Sequence, residues 1–190
     1  MIILICLFII CLFVIILLFA LPTFSPIPYF PTQKKDLALI IKALKLQNNH
    51  VIYDLGAGDG LVIFEAAKFA KRKKLNTQFI AVEINPILVL ILNLKKLFNP
   101  NNKNIKIVWG DLFKMNFHKL LYGQNSILSL HPTFYLYVSP WFLDKILSRL
   151  QSQFKNFSIV SYMYPIKRLK KKEKIIHGKN SIHSYVNLRG

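Results

Sequence analysis

V-I-Y-D-L-G-A-G-D-G, residues 51–60, joins a short apolar run to a turn that contains three glycines. The run begins with β-branched side chains and predicts a buried strand, and residues 61–74 repeat apolar side chains at helical spacing. A strand, a glycine-rich turn and a helix form the ligand-binding entry of doubly wound α/β folds. We therefore expect such a fold, with a ligand close to the glycine backbone, because glycine tolerates positive φ angles and close approach.

The glycines of this turn are interleaved with carboxylates. Their spacing is Gly56-x-Gly58-x-Gly60, with Asp54 before them and Asp59 among them, and it differs from the G-x-G-x-x-G of dinucleotide-binding turns. Negative side chains would repel a pyrophosphate, whereas they suit a ligand whose nearby groups are cationic. S-adenosylmethionine (SAM) carries an ammonium and a sulfonium and no phosphate. The turn therefore predicts a SAM site.

Two further carboxylates follow the next two predicted strands. Glu83 lies at the end of the strand predicted at 78–84, and Asp111 follows the strand predicted at 105–109. Ligands bind at the carboxyl ends of parallel strands, so both side chains are expected at the same edge. Glu83 can accept hydrogen bonds from both ribose hydroxyls, and its charge argues against a 2′-phosphate. Asp111 is placed to accept a hydrogen bond from the adenine amino group. The chain has only eight carboxylates against 26 Lys and Arg, so four carboxylates that all fall at the ends of predicted strands or in the glycine turn form a specific pattern.

The rest of the chain alternates predicted strands and helices. A fourth strand lies between 126 and 138, either at 126–130 or at 134–138, and a hairpin is predicted at 174–188. This order predicts an α/β, Rossmann-like, doubly wound and mostly parallel sheet with an antiparallel C-terminal edge. The remaining predicted elements are helices at 34–46, 86–98 and 141–150 and a strand at 157–163.

The first 21 residues are apolar and uncharged. At about 1.5 Å per residue they would span roughly 30 Å, the thickness of a bilayer core, so they predict one transmembrane helix at 1–21. A secretory signal fits less well, because no basic residue precedes the run and Ala20-Leu21-Pro22 is a poor cleavage site. Basic residues follow the run, so we expect a single-pass membrane protein with its N-terminus outside and its body cytosolic. A proline-rich connector at 22–32 leads to one domain at 33–190.

The net charge of +18 has three open interpretations: attraction to anionic lipid headgroups, attraction to nucleic acid, or solvated lysine faces. The densest basic clusters lie at 71–74, 95–96 and 167–174. Cys6 and Cys11 are the sole cysteines, and the five histidines are dispersed. We therefore expect neither a disulfide framework nor a metal centre.

Several short motifs accompany the glycine turn and the N-terminal apolar run. They are P-Y-F-P-T (28–32), E-A-A-K (65–68), A-V-E-I-N-P (81–86), G-D-L-F (110–113), Y-L-Y-V-S-P (135–140) and I-V-S-Y (159–162). With its glycine turn the chain resembles class I SAM-dependent methyltransferases. With these motifs and the apolar run it is similar to small membrane-anchored protein-lysine methyltransferases related to the mitochondrial enzymes that modify the ATP synthase c subunit and the adenine nucleotide translocase. Leu61 departs from this family, which usually has Arg there, and the segment 111–140 is longer than expected.

The resemblance implies methyl transfer to a lysine of a protein at or in the membrane. Tyr29 and Thr32 would cover the site, and Ser139 and Pro140 either line the acceptor channel or begin a helix. A small-molecule or lipid methyltransferase and a non-enzymatic scaffold are alternatives. A nucleic-acid methyltransferase is another, but its amino-group enzymes carry [DNS]-P-P-[YFW] after the fourth strand, and residues 131–134 do not match.

Overall fold

A computed structural model describes residues 1–20, 30–120 and 131–190. Within these ranges the chain forms five α-helices and seven β-strands, together with short 3₁₀ turns. In chain order they are α1 (Ile2–Ala20), α2 (Leu37–Ala43), β1 (His50–Leu55), α3 (Leu61–Arg72), β2 (Thr77–Glu83), α4 (Pro86–Leu97), β3 (Ile105–Trp109), β4 (Thr133–Leu136), α5 (Pro140–Gln153), β5 (Asn156–Tyr162), β6 (Glu173–His177) and β7 (Ser181–Arg189).

The strands form one sheet in the order β3-β2-β1-β4-β5-β7-β6. The first five strands are parallel, and β7 pairs antiparallel with both β5 and β6. One face of the sheet packs against α5, and the other packs against α2, α3 and α4. The predicted Rossmann-like sheet with an antiparallel C-terminal edge is confirmed.

The fourth strand occupies the second of its two predicted positions. β4 begins immediately after Pro132 and lies between β1 and β5, with Ile52 opposite Thr133. A proline has no N–H to donate, so a central strand starts after it more readily than it runs through it. The Pro132 carbonyl still accepts a hydrogen bond from Ser158 N at 2.9 Å. The other half of the prediction, 126–130, lies outside the described residues.

The helix predicted at 34–46 is shorter in the structure. A 3₁₀ turn at Lys34–Asp36 precedes α2, and Lys45 has a positive φ of 49°, which ends the helix. The helix predicted at 141–150 is longer, because Pro140 supplies its first residue and it continues to Gln153. Proline is favourable at this first position, where no backbone N–H is needed.

The predicted membrane span forms helix α1, which contacts α4. Counted over the described residues, no helix is both long and apolar enough to cross a membrane. The transmembrane span at 1–21 stays a prediction.

Candidate cofactor and acceptor site

A cavity opens at the carboxyl edge of β1, β2, β3 and β4, where the predicted ligand site lies. Its empty space, open solvent at the mouth included, is about 790 Å³. Six of the seven residues predicted to bind the cofactor line it, and the seventh, Gly60, does not. The lining residues from the prediction are Asp54, Gly56, Gly58, Asp59, Glu83 and Asp111, and Thr32 joins them from the connector.

The glycine turn has the backbone that its sequence requires. Gly56, Gly58 and Gly60 have φ angles of 81°, 57° and 78°, a region that residues with a Cβ rarely adopt. A Cβ on Gly60 would lie 2.5 Å from both Leu92 Cδ2 and Phe64 Cε2. Gly60 therefore shapes the start of α3 and its packing against α4, while Gly56 and Gly58 expose backbone to the cavity.

Glu83 stabilises this turn through three backbone hydrogen bonds. One carboxylate oxygen accepts a hydrogen bond from Gly58 N at 2.8 Å, and the other accepts from Ile84 N and Asn85 N, both at 2.9 Å. A carboxylate has about four acceptor positions, so three backbone bonds leave about one. Accepting both ribose hydroxyls, as the sequence predicts, therefore requires one backbone bond to be exchanged. Glu83 lines the cavity, as a ribose-binding residue would, and its side chain also stabilises the glycine turn.

Asp54 is the carboxylate that fits a cationic ligand best. Its side chain is buried, and burial first, then the charges of Glu83 and Asp59, raise its pKa to about 8. A cation beside it would stabilise the ionised form. Asp59 is less available, because Lys95 Nζ lies 2.8 Å from its carboxylate and 2.8 Å from its carbonyl. The glycine backbone and the buried Asp54 therefore fit the ammonium and sulfonium groups of SAM.

Asp111 follows β3 and lines the opposite end of the cavity. One oxygen accepts a hydrogen bond from Phe113 N at 2.8 Å, and Lys114 Nζ lies 3.8 Å from the other. The Asp111 side chain thus closes a local turn and also lines the cavity. Its contact with adenine stays a prediction.

Four aromatic side chains line the part of the cavity that we propose as its acceptor side. Phe30, Phe113, Tyr135 and Tyr137 line it, and Thr32 Oγ1 lies 3.3 Å from the Tyr135 hydroxyl. Burial raises the pKa of Tyr135, so this tyrosine stays protonated. The prediction that Thr32 covers the site agrees with this position, whereas Tyr29 lies outside the described residues.

Asp36 fixes the chain segment that carries Phe30 and Thr32. Its buried carboxylate accepts hydrogen bonds from Tyr162 Oη at 2.7 Å, Lys179 N at 2.6 Å and Asn180 N at 2.9 Å. Burial raises the pKa of Asp36, but these hydrogen bonds outweigh it and leave the pKa lowered. No sequence motif includes Asp36. The small number of carboxylates among so many lysines was the one signal that it has a role.

Ser139 and Pro140 are not among the residues that line the cavity. They begin α5, with Ser139 as N-cap and Pro140 at the first helical position. The two residues before them, Tyr137 and Val138, line the cavity instead. No sequence pattern indicated the remaining lining residues, which are Phe30, Ala57, Leu61, Val62, Val82, Ile84, Leu88, Gly110, Leu112, Phe113, Tyr135, Tyr137 and Val138.

Comparisons with known proteins agree with this geometry. Residues 29–171 match the ribosomal RNA adenine dimethylase family. A protein-lysine N-methyltransferase from Saccharolobus islandicus (strain REY15A) is 34% identical over 92 residues, which are 47% of this chain and 53% of that protein. The match thus spans about half the length of this relative.

Solved structures share the fold at low identity. An RNA methyltransferase from Salinibacter ruber, in complex with S-adenosyl-L-homocysteine, has a TM-score of 0.66 at 20% identity, covering 82% of this chain and 92% of its own. A precorrin-6y C5,15-methyltransferase from Geobacter metallireducens GS-15 has a TM-score of 0.56 at 17% identity, covering 81% and 88%. The acidic glycine turn, the cavity and the matched residues together show that the chain is a class I SAM-dependent methyltransferase and belongs to the ribosomal RNA adenine dimethylase family.

Proposed function

We propose that this enzyme methylates the side-chain nitrogen of a lysine in a protein substrate. The observation that carries the proposal is the acceptor side of the cavity, where Phe30, Tyr135 and Tyr137 offer aromatic surface. Aromatic faces attract an ammonium group and its methylated forms. The protein-lysine N-methyltransferase relative and the P-Y-F-P-T motif at 28–32 also support a lysine acceptor.

The residues of the cavity would assist the reaction by orientation and desolvation. SAM, when bound, supplies an activated methyl group, so the protein has to align an acceptor rather than create an electrophile. A lysine ammonium has a reference pKa of about 10.4 and must lose a proton before it can attack. An aromatic mouth at Phe30 and Tyr137 would exclude water from the ammonium and lower its pKa.

Methylation of adenine in ribosomal RNA is the second candidate, favoured by the family match and the net charge of +18. Because β4 is Thr133–Leu136, the segment that follows it is 137–141, Y-V-S-P-W, rather than the residues 131–134 tested in the sequence analysis. When Pro140 and Trp141 are matched to the end of [DNS]-P-P-[YFW], Val138 falls at the polar first position. A valine side chain cannot accept a hydrogen bond from the adenine amino group, which supports lysine over adenine.

Transfer of labelled methyl groups tests the proposal. The full-length enzyme would be incubated with methyl-labelled SAM and a membrane extract, and protein, RNA and lipid would then be separated. We expect label in a protein band, with none when Glu83→Ala replaces the enzyme. Label confined to RNA, lipid or small molecules would refute the lysine acceptor.

A membrane location is also part of the proposal, supported by the uncharged sequence of residues 1–21 and the lysines that follow it. Protease protection in sealed vesicles would test the topology. We expect the C-terminus at Gly190 on the cytosolic side. A lumenal C-terminus, or extraction of the protein by carbonate, would contradict this part without affecting the lysine acceptor.

A further inference from the structure

Helix α4 presents an apolar stripe to solvent. Leu90, Leu94, Leu97 and Phe98 recur at the spacing of one helix face and are 60%, 51%, 67% and 86% exposed. α1 contacts α4, yet these four side chains stay open. Contiguous exposed apolar surface of this kind marks an interaction site.

A basic cluster borders the end of the α4 stripe. Asn99 Nδ2 donates to Phe64 O at 3.1 Å, and Asn101 Nδ2 donates to Ala67 O at 3.0 Å, so the chain leaving α4 is bound to α3. At the end of α3 the exposed residues 71–74, K-R-K-K, begin one helical turn after Ala67. The C-terminal ends of α3 and α4, which carry the basic cluster and the end of the apolar stripe, therefore lie at the same end of the molecule.

Trp109 extends this surface beyond α4. In β3 it lies on the same face as Ile105 and Ile107, which pack on the α4 face of the sheet, and Trp109 is 65% exposed. The ring N–H donates to Ile84 O at 2.9 Å, immediately before α4 begins. An amphipathic aromatic side chain in this position is typical of surfaces that meet a membrane interface.

We infer that the α4 stripe and the basic cluster at 71–74 dock the enzyme onto an anionic lipid bilayer. Leucine and phenylalanine would enter the acyl boundary while the basic residues contact anionic headgroups. A second copy fits less well, because it would bring another basic surface of like charge. Nucleic acid would leave the aliphatic side chains uncovered. The inference goes beyond the methylation reaction and is independent of the acceptor's identity.

An environment-sensitive fluorophore on the stripe would test the inference in the full chain. The probe would be attached at Leu97→Cys in a Cys6→Ser, Cys11→Ser background, with Ser152→Cys on exposed α5 as the matched control. With phosphatidylserine vesicles we expect a blue shift at position 97 and none at position 152. SAM binding by calorimetry would confirm that both labelled proteins are folded.

A charge-reversal variant tests the basic cluster at 71–74. Lys71→Glu with Arg72→Glu should reduce the blue shift of the probe at position 97 with phosphatidylserine vesicles by about half or more. Phosphatidylcholine vesicles should give a much smaller shift at position 97, even if residues 1–21 anchor the chain in both lipids. An absent shift at position 97, an equal shift at position 152, or an equal shift at position 97 with both lipids would overturn the inference. So would a shift that appears without vesicles as protein concentration rises, which would indicate contact between copies.

Discussion

The two halves of the sheet edge are built from different side chains. Over β1, β2 and β3 the edge carries carboxylates, namely Asp54, Glu83 and Asp111, around a glycine turn. Over β4 the edge carries the hydroxyls and rings of Tyr135 and Tyr137. The first half holds charge for a cationic cofactor, and the second half is neutral.

The two halves also differ in the sequence separation of the residues that form them. Asp54 and Glu83 are separated by one strand-helix-strand unit, and Gly58 N bonds Glu83 directly. On the acceptor side, Thr32 meets Tyr135 across 103 positions, and Asp36 meets Tyr162 across 126. A local motif therefore makes the cofactor half, whereas long-range packing makes the acceptor half.

The largest expected effect is in the cofactor half. Glu83→Ala removes the acceptor of three backbone N–H groups and of the expected ribose contacts, so SAM affinity should fall by about 100-fold or more. Calorimetric titration measures this loss. Glu65→Ala, which removes an exposed pair with Lys68, should leave the affinity unchanged. Retained affinity in Glu83→Ala would refute the assignment of the turn.

The glycine turn should be sensitive to shape as well as charge. Gly60→Ala combines a φ of 78° with a 2.5 Å approach to Leu92, so the free energy of unfolding should fall by roughly 2–4 kcal/mol. Gly56→Ala has similar backbone strain but 3.6 Å of space to Val138, and should cost about 1–2 kcal/mol. Urea unfolding compares the two variants. Equal losses would mean that the packing of α3 against α4 adds nothing.

The charge of Asp54 should appear in the pH dependence. Its folded pKa of about 8 lies above the reference value of 3.8, so its contribution lowers the free energy of unfolding as pH rises from 4 to 8. A cationic ligand favours the carboxylate, so SAM affinity should rise by about tenfold between pH 6 and pH 9. Asp54→Asn should flatten this rise. A slope that survives in Asp54→Asn would assign the titration to another group.

The smallest expected effect is in the acceptor half. Thr32→Val removes the hydrogen bond to Tyr135, so methyl transfer should slow by about threefold while SAM affinity stays unchanged. Thr32→Ser, which keeps the hydroxyl, should retain the rate. Steady-state turnover and calorimetry together separate the two effects. A parallel loss of SAM affinity would mean that the two halves are not independent.

The sequence could predict that most of the carboxylates and glycines lie together at one sheet edge, because their signals are local. Strand, glycines and carboxylates follow one another within residues 51–60, Glu83 ends β2, and Asp111 comes two residues after β3. The acceptor half depends on which distant segments meet, and no spacing rule links Asp36 to Lys179 and Asn180. For the same reason the fourth strand had two possible positions until its pairing with β1 and β5 was known.

Chemical identification of the methylated product tests the lysine acceptor most directly. After transfer from methyl-labelled SAM into a membrane extract, total hydrolysis would release the labelled residue for chromatography. The account predicts an N-methylated lysine, absent when Glu83→Ala is used. Labelled methyladenine in the hydrolysate, with no methyl-lysine, would contradict it.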